Sequence, residues 1–206
     1  MPPIMTEAGQ DSSTADPFVV RKSTEETGGE FVRFEATLYP HPGKSASRVD
    51  LPHERWGLDN DFEHVNPSQD ERFEVLSGKL RVVFDGEERT LTDGDEVTIP
   101  ANVPHRHWNP TGDPARVIWE RRPANRTEEW AESVYALAQA GKTDEDGVPG
   151  LLQLAVILDE YPDDTYPTTM PVGVQKALAS ILAPLGRAAG YEATHSREEL
   201  DGHAGE

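Results

Sequence analysis

Residues 32–38 carry the plainest pattern in the chain. Val32, Phe34, Ala36 and Leu38 are apolar, and Arg33, Glu35 and Thr37 between them are polar. Period two sends alternate side chains to opposite faces, so this segment predicts a half-buried strand. Phe18-Val19-Val20 begins the strand signals before it. From Arg72 they come quickly. Phe73 to Leu76 runs into Ser77-Gly78, and Leu80, Val82 and Phe84 alternate with Arg81 and Val83. Asp85-Gly86 predicts a tight hairpin with Glu88 to Thr92 as the return strand. Asp93-Gly94 is a second turn, Pro100 stops the short strand of Val97 and Ile99, and Val117-Ile118-Trp119 is the last strand. Many short strands with tight turns between them argue an antiparallel sandwich or barrel.

The period changes after Pro123. Asn125 reads as an N-cap with Glu128 at the third helical position. Trp130, Val134 and Leu137 then recur at helical spacing, and Gly141 ends the segment. Leu151 to Tyr161 reads as a second helix stopped by Pro162. Pro171 opens a third, with Val174, Leu178, Ile181, Leu182 and Leu185 on one face and Pro184 as an expected kink. The simplest role for these helices is to cover an open barrel face or to form a dimer contact, since their apolar stripes need burying. A lid over an apolar ligand is the sharper alternative. The expected organisation is a disordered 1–15, a barrel over 16–123, a helical extension over 124–192 and a disordered acidic tail over 193–206. The Pro-, Gly- and His-rich stretch 40–62 reads as one long loop.

Composition narrows the function classes. A formal charge of −19 repels nucleic acid backbones, so no nucleic-acid partner is expected. Cysteine is absent, which removes disulfides, thiolate zinc sites and thiol nucleophiles. The start lacks a charged-then-apolar signal, and no apolar run is long enough to span a bilayer; a cytoplasmic location is the expectation. The positive residues are 14 Arg against 5 Lys. Acid-rich, Lys-poor chains suit a salt-rich, halophilic host, where ionic strength screens self-repulsion.

Two stretches carry candidate chemistry. His64 is followed by Glu71 at the start of a strand and by Gly78 at its end. Further on, Gly94, Pro100, His105 and Asn109 bracket another strand and turn. Two imidazoles and a carboxylate brought to one barrel mouth would suit a non-haem divalent metal. The competing reading is that these groups only hydrogen-bond inside a pocket. His107, two residues after His105, would point the same way on a strand. Trp108 and Trp119 read as core or rim packing. Arg121-Arg122 reads as a solvated strand end, or as a holder of an anionic substrate. His41 and His53 fall in the long loop, and His195 and His203 in the tail.

The two stretches resemble the paired motifs of the cupin superfamily. His64, Glu71 and Gly78 stand at positions of the first motif, and Gly94, Pro100, His105 and Asn109 at positions of the second. The resemblance implies an antiparallel cupin-type β-barrel (jelly-roll), commonly a homodimer, here followed by the α-helical extension. It implies one divalent transition metal (Fe, Mn, Ni, Cu or Zn) held by His64, Glu71 and His105. Asn66 stands where the first motif has a second His, and is a weak or absent fourth ligand, because an amide binds such metals poorly. Asn102 stands where the second motif has Gly, and Asn tolerates a left-handed backbone better than most residues. Gly57 lies one residue too far from His64 for the family spacing. The implied function is a metal-binding cupin acting on a small molecule, as a dioxygenase or isomerase. The alternative is a non-catalytic cupin that binds or senses a small molecule with a degenerate metal site.

Overall fold

The structure is a computed structural model, and it describes residues 18–40, 62–144 and 147–195. The expectations for 1–15, for most of the 40–62 loop with His41, His53 and Gly57, and for the tail with His203 fall outside these residues.

Among the described residues, ten strands form two five-stranded antiparallel sheets, and three helices follow the barrel strands. The strands are β1 Phe18–Lys22, β2 Val32–Leu38, β3 His64–Val65, β4 Asp70–Ser77, β5 Lys79–Phe84, β6 Glu87–Thr92, β7 Glu96–Ile99, β8 His105–Trp108, β9 Ala115–Arg122 and β10 Tyr166–Pro167. The helices are α1 Thr127–Gln139, α2 Leu151–Glu160 and α3 Val172–Ala188. One sheet runs β1-β2-β9-β4-β7 and the other β10-β3-β8-β5-β6. The fold is mainly β with C-terminal helices, as the patterning predicts.

Alternation builds the inner face. Val32, Phe34, Ala36 and Leu38 of β2 are buried, as are Phe73 and Val75 of β4 and Ala115, Val117 and Trp119 of β9. The register sets Phe34 beside Trp119, and their rings stack at 4.7 Å. The turn chemistry follows the sequence. Phe84 pairs with Glu87, leaving Asp85 and Gly86 as a two-residue loop with φ of 51° and 75°. Two successive positive φ angles match the right-handed twist of the flanking strands, which is why Asp-Gly marks such turns. Gly78 answers a different need. A Cβ there would lie 2.9 Å from the Ala115 Cα, so β9 passes too close for any side chain. Asn102 takes φ 62°, the left-handed conformation expected of the residue that replaces a motif glycine.

The helices share the barrel's core. Trp130, Ala131 and Leu137 of α1, Val156 and Ile157 of α2, Tyr161 and Ala183 belong to the same contiguous apolar cluster as Phe34, Phe73 and Trp119. Segment 162–170 goes further and adds β10 to the edge of β3, with Tyr166 against Val65 and Pro167 against His64. Periodicity missed β3 and β10, because two residues are too few to show a period. The packed chain continues to His195: Ala193 is buried in the core, the Thr194 hydroxyl lies 3.0 Å from that of Tyr161, and the His195 backbone N–H donates to Ser133 Oγ.

One helix start differs from its expectation. The residue before α1 is Arg126, which makes no side-chain cap, and Asn125 sits at φ 47° outside the helix. Glu128 does not reach back to its own helix; it accepts from the Thr24 N–H at 2.8 Å. A tertiary donor from the β1–β2 connection has taken the carboxylate that a capping box would use. α3 runs without interruption through Pro184.

Candidate metal centre

The site forms where the two sheets face each other. His64 on β3 lies directly opposite His105 on β8, and His107 follows on the same face of β8, opposite Val82. All three rings are buried, and one nitrogen from each lies within 4.8 Å of the others. The His64 and His105 ring centres are 4.2 Å apart.

Backbone carbonyls orient two of the rings. His105 Nδ1 lies 2.8 Å from the Val103 carbonyl, and His64 Nδ1 lies 3.2 Å from that of Phe62. A carbonyl only accepts, so each Nδ1 carries a proton and each Nε2 is turned inward. His64 Nε2 is buried without a hydrogen-bond partner among the described residues, and Glu71 Oε2 is 3.9 Å away. Burial lowers the His64 pKa, with the Glu71 carboxylate opposing only in part, so this ring is neutral with a free lone pair at neutral pH.

Glu71 comes from the other sheet, on the inward row of β4. Its Oε1 accepts from Trp119 Nε1 at 2.6 Å and Arg121 Nε at 3.0 Å. Its Oε2 accepts from Asn66 Nδ2 at 3.0 Å and lies 2.5 Å from His105 Nε2. Burial alone would raise its pKa. The Arg121 guanidinium, with the imidazoles, outweighs burial and holds the carboxyl well below the usual range. The contact to His105 carries chemical information. A ring that donates from Nδ1 and meets a carboxylate with Nε2 this closely needs a second proton, and a metal ion bound by both groups would have to move them apart.

Asn66 does not face the cluster with a free amide. Its Nδ2 goes to Glu71, and its Oδ1 accepts from Thr165 Oγ1 at 2.9 Å. Thr165 in turn accepts from Arg121 Nη2 at 3.2 Å. Glu71, Arg121, Thr165 and Asn66 therefore close a buried hydrogen-bonded ring. One member comes from the C-terminal segment, which no barrel motif anticipates.

Arg121 corrects its sequence reading. It is neither a solvated strand end nor exposed to an incoming anion: it is 1% exposed, pairs with Glu71 across the β4–β9 register, and lies over the Trp119 and Trp130 rings. Its neighbour Arg122 is the exposed one, bonded to Glu30 and Glu120. The signal was parity. Arg121 shares the inward row with Val117 and Trp119, and a charge there needs a buried partner. Trp119 is core, as expected, but it is also a donor to Glu71.

Space at the centre is small. The cavity between Glu71, Phe73, His107, Trp119 and Trp130 measures about 10 Å³, room for about one water. On the other side of Trp130 lies a larger cavity of about 40 Å³. Phe62, Leu154, Leu158 and Pro167 line it, and Thr165 is its polar edge.

An antiparallel two-sheet fold with histidines clustered inside defines the class, and comparison with known proteins finds a family resemblance over the barrel strands. Residues 57–119 match the family model described as the cupin domain. No curated protein matches it. Among similar solved structures is a sugar phosphate isomerase from a cupin superfamily, from Silicibacter pomeroyi. It is 22% identical, with 53% of this chain and 62% of that one covered and a TM-score of 0.38. A predicted oxalate decarboxylase from Thermotoga maritima is 14% identical, covering 52% and 78% at a TM-score of 0.39. The cupin domain of an XRE family transcriptional regulator from Enterobacter cloacae is 21% identical, covering 52% and 96% at 0.36.

Proposed function

We propose that the chain is a metal-binding cupin acting on a small molecule, with His64, His105 and His107 holding one divalent transition metal. The observation that carries this reading is the buried, unpartnered Nε2 of His64, turned toward two further imidazoles whose nitrogens lie within 4.8 Å. Neutral imidazole donors suit Fe, Ni, Cu or Zn and leave positions open for a small ligand. Bound there, such a metal would supply Lewis acidity or oxygen activation, in line with isomerase or dioxygenase chemistry. The chain's own residues do the rest. The Phe62 and Val103 carbonyls fix which ring nitrogen faces inward. Glu71, kept ionised by Arg121, supplies negative charge beside His105, close enough to the donor set to serve as a further ligand. Phe73, Trp119 and Trp130 exclude bulk water. An apolar part of a substrate would fit the cavity beyond Trp130.

The alternative is a cupin that binds or senses a small molecule without a metal. The 2.5 Å contact between His105 and Glu71 favours it, since an imidazolium–carboxylate pair satisfies that geometry alone. So does the small central cavity.

Elemental mass spectrometry on the purified chain separates the two. Near one equivalent of a transition metal is expected in the wild type, and its loss in His105→Ala with the circular dichroism spectrum unchanged. A variant that holds as much metal as wild type would overturn the site. A wild type that stays empty after metal is added would support the alternative.

A further inference from the structure

The outer face of α3 is the least explained surface among the described residues. Val174 (47% exposed), Leu178 (40%), Ile181 (67%) and Leu185 (60%) project from it. At about 100° per residue these four fall within one narrow stripe of the helix. The buried side of α3 lies elsewhere, at Gln175, Ala179, Ala183 and Gly186, where the helix rests on α2. Met170 just before α3 is also exposed, as is Leu151 at the start of α2. The second of these adjoins Leu152, whose carbonyl lies against Gly186 on the buried side of α3.

Charge says what this face can meet. α3 holds no carboxylate in a chain of net −19. Its two cations are held by the chain's own acids: Lys176 by Asp163 at 3.6 Å, and Arg187 by Asp159 at 2.7 Å and Glu160 at 3.4 Å. No spare cation remains on this helix to draw an anionic membrane or an acidic partner. Elsewhere, two copies of this chain would oppose like charges; here they can approach without doing so. The stripe is also its own complement. Its spacings are four, three and four, so reversing the helix leaves the pattern unchanged.

We propose that α3 is a homodimer interface, pairing antiparallel with α3 of a second copy about a two-fold axis level with the midpoint of Leu178 and Ile181. Val174 then meets Leu185 of the second copy, and Leu178 meets Ile181, so one patch serves both partners. A 17-residue helix is about 25 Å long. Alone it covers only part of the roughly 800 Å² per partner of a standard interface. Met170, four residues before Val174 in the chain, adds exposed apolar area at one end.

The mass in solution tests this by light scattering after gel filtration. The wild type is expected at twice the chain mass, at low and at high salt. Ile181→Glu, at a position two-thirds exposed, is expected to halve that mass without changing the circular dichroism spectrum. The absence of cysteine permits a sharper test. In a V174C/L185C double variant the two thiols of one chain are about 16 Å apart along the helix, too far to bridge. Oxidation is therefore expected to give a covalent dimer on a denaturing gel, and the L185C single variant none. A monomeric wild type, a dimer that survives I181E, or cross-linking by L185C alone would each overturn the proposal.

Discussion

Glu71 is a carboxylate with almost no exposure and donors on both oxygens, and it shows how this barrel keeps charge inside. Moving such a group out of water costs several kcal/mol, which only a near-complete set of partners offsets. Arg121, Trp119, Asn66 and His105 form that set, and Glu71 and Arg121 meet because the β4–β9 register sets them side by side. Asp164 is the contrasting case. It accepts one bond from Thr127 Oγ1 at 2.9 Å and has no cation within ion-pair reach among the described residues. Burial raises its pKa from 3.8 to about 6; Arg121, Thr127 and Arg126 pull it down, and Asp163 pushes it up. A folded-state pKa above the unfolded value means that folding favours the protonated form. Its contribution is therefore fully present below about pH 4 and is lost as pH rises through about 6, leaving the ionised group a cost at neutrality. Asp164→Asn keeps the acceptor for Thr127 and removes the charge. It is expected to stabilise the fold by about 2 kcal/mol at pH 7 and by almost nothing at pH 4, measured by urea unfolding at each pH.

The elements differ in how tightly their contacts specify them. α2 and α3 pack through small residues, closest at Gly186. A Cβ there would lie 2.6 Å from Val156 Cγ2 and 2.9 Å from the Leu152 carbonyl oxygen. The side chain could turn away, but the backbone could not, so the helices would have to separate. Gly186→Ala is expected to destabilise by about 1–3 kcal/mol despite its better helix propensity. A lowered urea midpoint with an unchanged slope would bear this out; a gain in stability would show that the helix pair can relax. The β5–β6 hairpin is legible in the sequence, because Asp85-Gly86 states its turn locally. The start of α1 is not: the Asn125 and Glu128 pattern is redirected by a partner more than a hundred residues away.

For the whole molecule, the net charge of −19 is the dominant long-range term. The carboxylates outnumber the cations two to one, so most surface ion pairs cannot neutralise it, and self-repulsion favours the unfolded chain until salt screens it. Raising salt from about 0.1 M to about 1 M shortens the screening length from about 10 Å to about 3 Å. The melting temperature is expected to rise over that range, as a salt-loving host would require. A melting temperature that is flat or falls with potassium chloride would show that the surface pairs already compensate the charge. No helix among the described residues is long and apolar enough to cross a membrane.

Local patterns determined much of this protein. Alternation defined β2 and β5, short apolar runs marked β4 and β9, Asp-Gly defined the hairpin, and the paired motifs named His64, Glu71 and His105 as one set, because each is written within a few consecutive residues. What depended on contacts between distant segments only the tertiary structure decided. Sheet pairing brought His107 into the cluster, the register set Arg121 beside Glu71, and β10 carried Thr165 to Asn66 across 99 residues of chain. Period and spacing describe which face a side chain takes on its own element. They do not describe which element faces it, and in this barrel the facing element sets the partner, the charge and the accessible chemistry.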